Sequence, residues 1–186
     1  MRAKWLVMTL LAGAVVGCGR GHAVLNVDLL SFLRASGDDS IAYNVPGGVT
    51  ADTTISQQFT LPGGLANSVV DSVLIRGAAE LANSSGGGTV TLKIYFAKTQ
   101  TSLFSGAAYD SASSGHVTGL QTVPFVLPDS VSLNDTLFNA RSLWLGLRAS
   151  ITTDPPLLTP MVGTVRLTQL QAHIVEIGRA SCRERV

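Results

Sequence analysis

From Thr89 to Lys98 the chain alternates. Val90, Leu92, Ile94 and Phe96 fall on one side of an extended backbone, and Thr91, Lys93, Tyr95 and Ala97 fall on the other. A period of two is that of a β-strand with one dry and one wet face. Ser72–Leu81 repeats the pattern, with Val73, Ile75, Gly77, Ala79 and Leu81 opposite Arg76 and Glu80. Between the two lies Asn83-Ser84-Ser85-Gly86-Gly87-Gly88, which predicts a hairpin loop, because glycine accepts positive φ. Ser40–Val45 and Thr53–Leu61 read as further strands, each closed by a Pro-Gly-Gly turn at Pro46 and Pro62. Leu143–Ile151 alternates through Leu143, Leu145, Leu147, Ala149 and Ile151, while Ala23–Leu33 and Val117–Leu127 are strands of weaker pattern.

The last segment, Gly163–Val175, changes parity. Val165 and Leu167 share one phase, and Leu170, Ala172 and Ile174 share the other. A one-residue bulge near Thr168–Gln169 keeps both sets on the core side. No long stretch shows a helical apolar period; Asp135–Arg141 predicts one helical turn capped by Asn134. Short alternating strands joined by Gly and Pro turns predict an all-β fold, an antiparallel β-sandwich of jelly-roll or immunoglobulin-like type. A membrane barrel is the rival, but its strands need long, regular lipid-facing bands.

The two ends break this pattern. Met1–Gly17 begins with Arg2 and Lys4 and continues in an apolar run from Trp5 to Val16. It is too short for a comfortable span and fits the core of an export signal. It closes on Val15-Val16-Gly17-Cys18, which resembles the lipobox of bacterial lipoproteins. The resemblance covers the leader alone. It implies cleavage before Cys18 and a diacylglyceryl group on its thiol, with an acylated (palmitate-type) amino terminus that anchors the chain in a membrane. Residues 18–22 are then the lipidated Cys and a short tether. Gly19 follows the Cys where some inner-membrane lipoproteins carry Asp, so the resemblance implies an outer-membrane site in a double-membraned cell.

At the other end, Glu176-Ile177-Gly178-Arg179-Ala180-Ser181-Cys182-Arg183-Glu184-Arg185-Val186 is rich in arginine after a charge-poor domain. It back-translates to a string that resembles a common adapter of short-read sequencing libraries. Residues 176–186 are therefore expected to be translated adapter, not native protein, which leaves 23–175 as the folded domain.

Composition supports the strands: 46% of the 186 residues are hydrophobic and only 13% charged, against about 25% charged in ordinary soluble domains. Without the leader and the tail, 8 basic and 10 acidic residues remain, a charge near −2. Nothing in that balance suggests the clustered basic face that nucleic acid requires, and no nucleic-acid partner is expected. Of the two cysteines, Cys18 is spoken for by the lipobox and Cys182 lies in the tail, so no disulfide is expected.

Candidate chemistry is sparse. The three histidines are scattered, at His22, His116 and His173, with no zinc-hydrolase or nucleophile-elbow motif around them. Asp38, Asp39 and Asp52 sit in turns, where Asp beside Gly and Ser is ordinary turn chemistry, and match no calcium loop. No metal or cofactor is expected. Strand parity puts Tyr95 and Trp144 on a wet face, and Tyr109 lies in a long Ser/Ala/Gly-rich loop. These three aromatics are the candidate binding surface. The function expected is that of a cell-envelope lipoprotein with a non-catalytic binding domain, whose partners are the membrane and a glycan or envelope protein. An envelope hydrolase with scattered Asp, His and Ser residues, and a structural subunit of a surface assembly, are the alternatives.

Overall fold

The computed structural model describes residues 21–61, 68–140, 142–155 and 159–178. The expected export leader with Cys18, the turn expected at Pro62-Gly63-Gly64 and residues 179–186 lie outside the described residues. Nine strands and one helix follow in order: β1 (Gly21–Asp28), α1 (Leu29–Ser36), β2 (Ser40–Val45), β3 (Thr50–Thr60), β4 (Ser68–Ser85), β5 (Gly87–Ala97), β6 (Asp110–Thr118), β7 (Gln121–Leu133), β8 (Ser142–Thr153) and β9 (Met161–Gly178).

The strands form two antiparallel sheets packed face to face. One has the order β1-β9-β4-β7, with β2 also paired to β9; the other has the order β3-β8-β5-β6. Strands β2 to β9 switch sheets at every connection except β5 to β6. This is the winding of a jelly roll, so of the two sandwich types expected from the sequence the jelly roll is the one observed. Strand β9 serves two neighbours on one side. Its first part pairs with β2 (Met161–Arg166) and its second with β1 (Gln171–Gly178). It runs three residues past the expected domain end at Val175, to Gly178.

The alternation seen in the sequence is the division between the layers. Leu92, Ile94, Leu145, Leu147 and Ile151 of one sheet, and Val73, Ile75, Leu81, Leu127 and Ile174 of the other, are 0–1% exposed. The parity change in β9 is met by a bulge. Pairing passes from Ala78–Gln169 to Ala79–Leu167, and Thr168 is the extra residue. Leu167 and Leu170 therefore both face the core, at 1% and 0% exposure.

Four expectations from the sequence are corrected. Ala23–Leu33 is not one strand. The Asp28 carboxylate accepts the Leu30 N–H at 3.1 Å and starts α1, whose Leu29, Leu30 and Leu33 are buried. The helix stops at Gly37 (φ +80°), with the Asp38 N–H donating to the Leu33 carbonyl at 2.8 Å. Val117–Leu127 is cut at Gly119 (φ +62°), and its halves join different sheets as β6 and β7. The 83–88 segment is not a hairpin loop either, because β4 and β5 also lie in different sheets. Gly86, at φ +68°, makes that corner, where a side chain would meet the Pro160 carbonyl. Finally, Asn134 caps no helix. It sits at φ +53° and its N–H donates to the Asp71 carbonyl, while Asp135 accepts the Leu137 N–H in a run of turns.

Candidate functional site

The inner faces are filled, so any surface for a partner lies on the outer faces or the loops. Strand register fixes what each outer face presents, because directly paired residues point the same way.

On the outer face of the β3-β8-β5-β6 sheet, Tyr95 and Trp144 do point away from the main core. They are not a free surface. The 98–109 loop folds back over them, and Tyr95 (4% exposed), Ala97 and Leu103 form a second small core with Phe104, Ala108 and Trp144 packed against it. Gly146 makes this possible. A Cβ there would lie 2.8 Å from both Leu103 and Phe104, so its absence is the seat of the loop. The Arg148 guanidinium lies 5.2 Å from the Tyr95 ring centre and 5.0 Å from that of Phe104, a cation held between two rings. Tyr109 is elsewhere, against the main core with Phe96 and Phe138 at ring separations of 5.2 and 5.9 Å. Burial raises its hydroxyl to about 12, and the nearby Asp135 charge acts the same way. The three aromatics proposed from the sequence therefore do not form one surface: Tyr95 is buried in the small core with Trp144 half-buried against it, and Tyr109 is half-buried against the main core.

The outer face of the β1-β9-β4-β7 sheet is open, and it is arranged in rows across the strands. His22, Ile177 and Val69 make the first row; Val24, Val175, Ser72 and Leu133 the second; Asn26, His173, Leu74 and Val131 the third. Asp28, Gln171 and Arg76 continue into a fourth, where the Arg76 Nε donates to the Asp129 carboxylate at 3.1 Å. The face thus grades from apolar to polar away from the start of β1.

A depression of about 530 Å³ lies over rows three and four, lined by Asn26, Asp28, Leu74, Arg76, Gln171 and His173 among others. Three adjacent strands supply its polar groups. His173 Nδ1 lies 2.6 Å from Asn26 Oδ1, in hydrogen-bond contact across β1 and β9. The Gln171 side-chain oxygen accepts from the Gln169 amide at 3.3 Å. Asp28 holds the start of α1. The depression thus offers amide and imidazole groups beside the apolar Leu74, with the charged Asp28 and Arg76 in its fourth row. Sequence reasoning placed His173 on a polar face but missed the depression. Its members lie far apart in the chain, His173 being 147 residues from Asn26, and the β1-β9-β4 pairing brings them together.

The other histidine contact is at the far end. His116 Nε2 lies 2.8 Å from the Asp154 carboxylate, both groups well exposed. Among the described residues neither His116 nor His173 is hydrogen-bonded to a serine hydroxyl. Among those residues, too, no three His, Cys, Asp or Glu side chains are grouped to hold a metal ion.

No protein-family model matches the chain, and no curated protein matches it. Solved structures resemble it in chain path. One is that of infectious bursal disease virus strain Gx, at 12% identity and a TM-score of 0.38, over 87% of this chain and 37% of that one. Another is the TmCBM61 structure in complex with beta-1,4-galactotriose, at 12% identity and a TM-score of 0.32, over 79% and 82%. A third is CBM28, titled a non-crystalline cellulose specific carbohydrate-binding module, at 12% identity and a TM-score of 0.35, over 70% and 71%. The chain spans just over a third of the length of the virus protein it resembles. With TM-scores this low, the likenesses assign no function to the chain.

Proposed function

We propose that this protein is a non-catalytic binding domain of an exported lipoprotein, anchored through Cys18, and that the depression on its five-stranded sheet takes a glycan of the cell envelope. One observation carries the ligand site: Asn26, Arg76, Gln171 and His173 converge on an open depression from three neighbouring strands. Their fixed spacing on a sheet is the rigid presentation that selective hydrogen bonding to sugar hydroxyls needs. The anchor rests on the match of the leader to a lipobox.

The test has two parts. Calorimetry of the purified full chain against a panel of envelope polysaccharides is expected to find one that binds. Gln171→Ala and Arg76→Ala should each weaken it by roughly 2- to 10-fold, the worth of one hydrogen bond, with no change in melting temperature beyond a degree or two. No binder in the panel, or a binder indifferent to both substitutions, removes the site. Mass spectrometry of the N-terminal peptide from the membrane fraction is expected to show an acylated Cys18, and Cys18→Ser should release the chain from that fraction.

A further inference from the structure

The apolar end of the same sheet calls for its own occupant. Val24, Val69, Val131 and Leu133 are 53%, 56%, 62% and 71% exposed, and Val175 of β9 lies between Val24 and the β4 and β7 members. They come from four adjacent strands of the five-stranded sheet, β1, β9, β4 and β7, so they are one contiguous patch and not scattered surface residues. The paired side chains of the first three rows include no carboxylate, and Asp28 and Asp129 come in the fourth; Asp71, the extra residue where β4 shifts register, is the one acid of β4 between the first two rows. Rows lie about 7 Å apart along the strands, so the first three rows span roughly 14 Å.

The position of this patch points to what covers it. Gly21 starts β1 at the apolar end, paired with Gly178. Only Gly19 and Arg20 separate it from Cys18, and three residue steps span at most about 11 Å. A lipid on Cys18 therefore holds the bilayer surface within reach of the first two rows, whatever course the tether takes.

We propose that the Val24/Val69/Val131/Leu133 patch docks on the lipid surface beside the anchor, so that the domain leans on the membrane by one end of its five-stranded sheet. This rests on the lipidation of Cys18 and goes beyond it, because an anchor alone leaves the domain free to tumble on its tether. Docking holds the polar depression just above the headgroups, roughly 14–20 Å from the inserted end by the row spacing. Apolar side chains at such a surface sink to the boundary of headgroup and acyl chain.

The experiment uses the full acylated chain, its N-terminal mass verified, in vesicles of phosphatidylethanolamine and phosphatidylglycerol containing brominated lipid. With Cys182→Ser in the background, an environment-sensitive fluorophore is attached at Leu133→Cys, at Val24→Cys and, on the opposite sheet, at Thr54→Cys. The labels at 133 and 24 are expected to shift to the blue and lose at least half their emission to bromolipid quenching, while the label at 54 does neither. Hydrogen exchange on the unlabelled chain gives a second reading: β7 around 131–133 should slow at least threefold on vesicles relative to detergent. Equal emission at the three positions of an acylated chain, with unchanged exchange, overturns docking and leaves the anchor standing. Absence of the acyl group overturns both. A doubled mass by light scattering with unquenched labels assigns the patch to a second copy and overturns docking as well.

Discussion

Asn83, 1% exposed, ties together segments far apart in the chain. Its Nδ2 donates to the carbonyls of Gly86 and Gly119, at 3.2 and 2.7 Å, and its Oδ1 accepts from the Tyr43 hydroxyl at 3.0 Å. Gly86 and Gly119 stand at two of the corners at which the chain leaves one sheet for the other, β4 to β5 and β6 to β7, so one amide holds both. Gly163 leaves room for the Tyr43 hydroxyl, which a Cβ would strike. Asn83→Ala strands these buried partners and is expected to cost about 1–3 kcal/mol, read as a lower urea midpoint; an unchanged midpoint would show the corners hold without it. Nothing in the local sequence marks Asn83 beyond its place before a glycine run, because its partners are not its neighbours. The phenols add a pH dependence. Burial raises Tyr43 to about 12, as it does Tyr109, from an ordinary 10.0. Below pH 10 both states keep these protons. Above it the unfolded chain loses them first, so stability falls as pH rises from 10 through 12. Circular dichroism against pH should show unfolding in that window, and Tyr43→Phe with Tyr109→Phe should flatten it.

At the scale of elements, alternation was readable wherever a strand has one face in the core. The centres of β4, β5 and β8 stand where their patterns put them. The short helix was not readable, since eight residues hold too few turns to set a period and Leu29, Leu30 and Leu33 extend the apolar run of β1. The signal that was present is Asp28, an acceptor just before that run. Asp28→Ala is expected to cost about 1 kcal/mol through loss of the cap, measured by thermal unfolding. The fate of Tyr95 and Trp144 was half readable. Parity gives the outward face, but a loop that returns to cover it leaves no mark on the strand except Gly146, where a side chain would collide with Leu103 and Phe104. Gly146→Val should therefore lift the 98–109 loop. We expect a loss of about 1–3 kcal/mol from overpacking, a red shift of Trp144 fluorescence and fast proteolysis within 98–109, with β8 still folded. Slow proteolysis equal to that of the parent chain would mean the loop is held by something other than this seat.

For the whole molecule, the sandwich was readable and its winding was not. A strand that turns back beside its neighbour and one that crosses to the other sheet carry the same alternation, and the choice is made by contacts as distant as Thr50 with Thr152. The winding leaves β7 at one border of the five-stranded sheet, and this border carries the exposed Val126, Val131 and Leu133. An exposed apolar edge invites another chain to pair with it. β7 also contains Pro124 and Pro128, which have no N–H to offer, and a proline is tolerated in a ladder only where its missing donor falls on the unpaired side or at an irregularity. Pro124 pairs opposite Glu80, and Pro128 lies where the register with β4 shifts. The two prolines take two donors out of the row that an incoming strand would need. Pro124→Thr with Pro128→Thr should restore that row. The doubly substituted chain, in detergent at neutral pH, is expected to keep its fold by circular dichroism and to associate through β7, with light scattering rising with concentration and a β-specific dye binding. Adding Val126→Lys should reverse the association by placing a charge on the edge. A double variant that stays monomeric at millimolar concentration would show that the edge is guarded by its twist or its neighbours and not by the prolines.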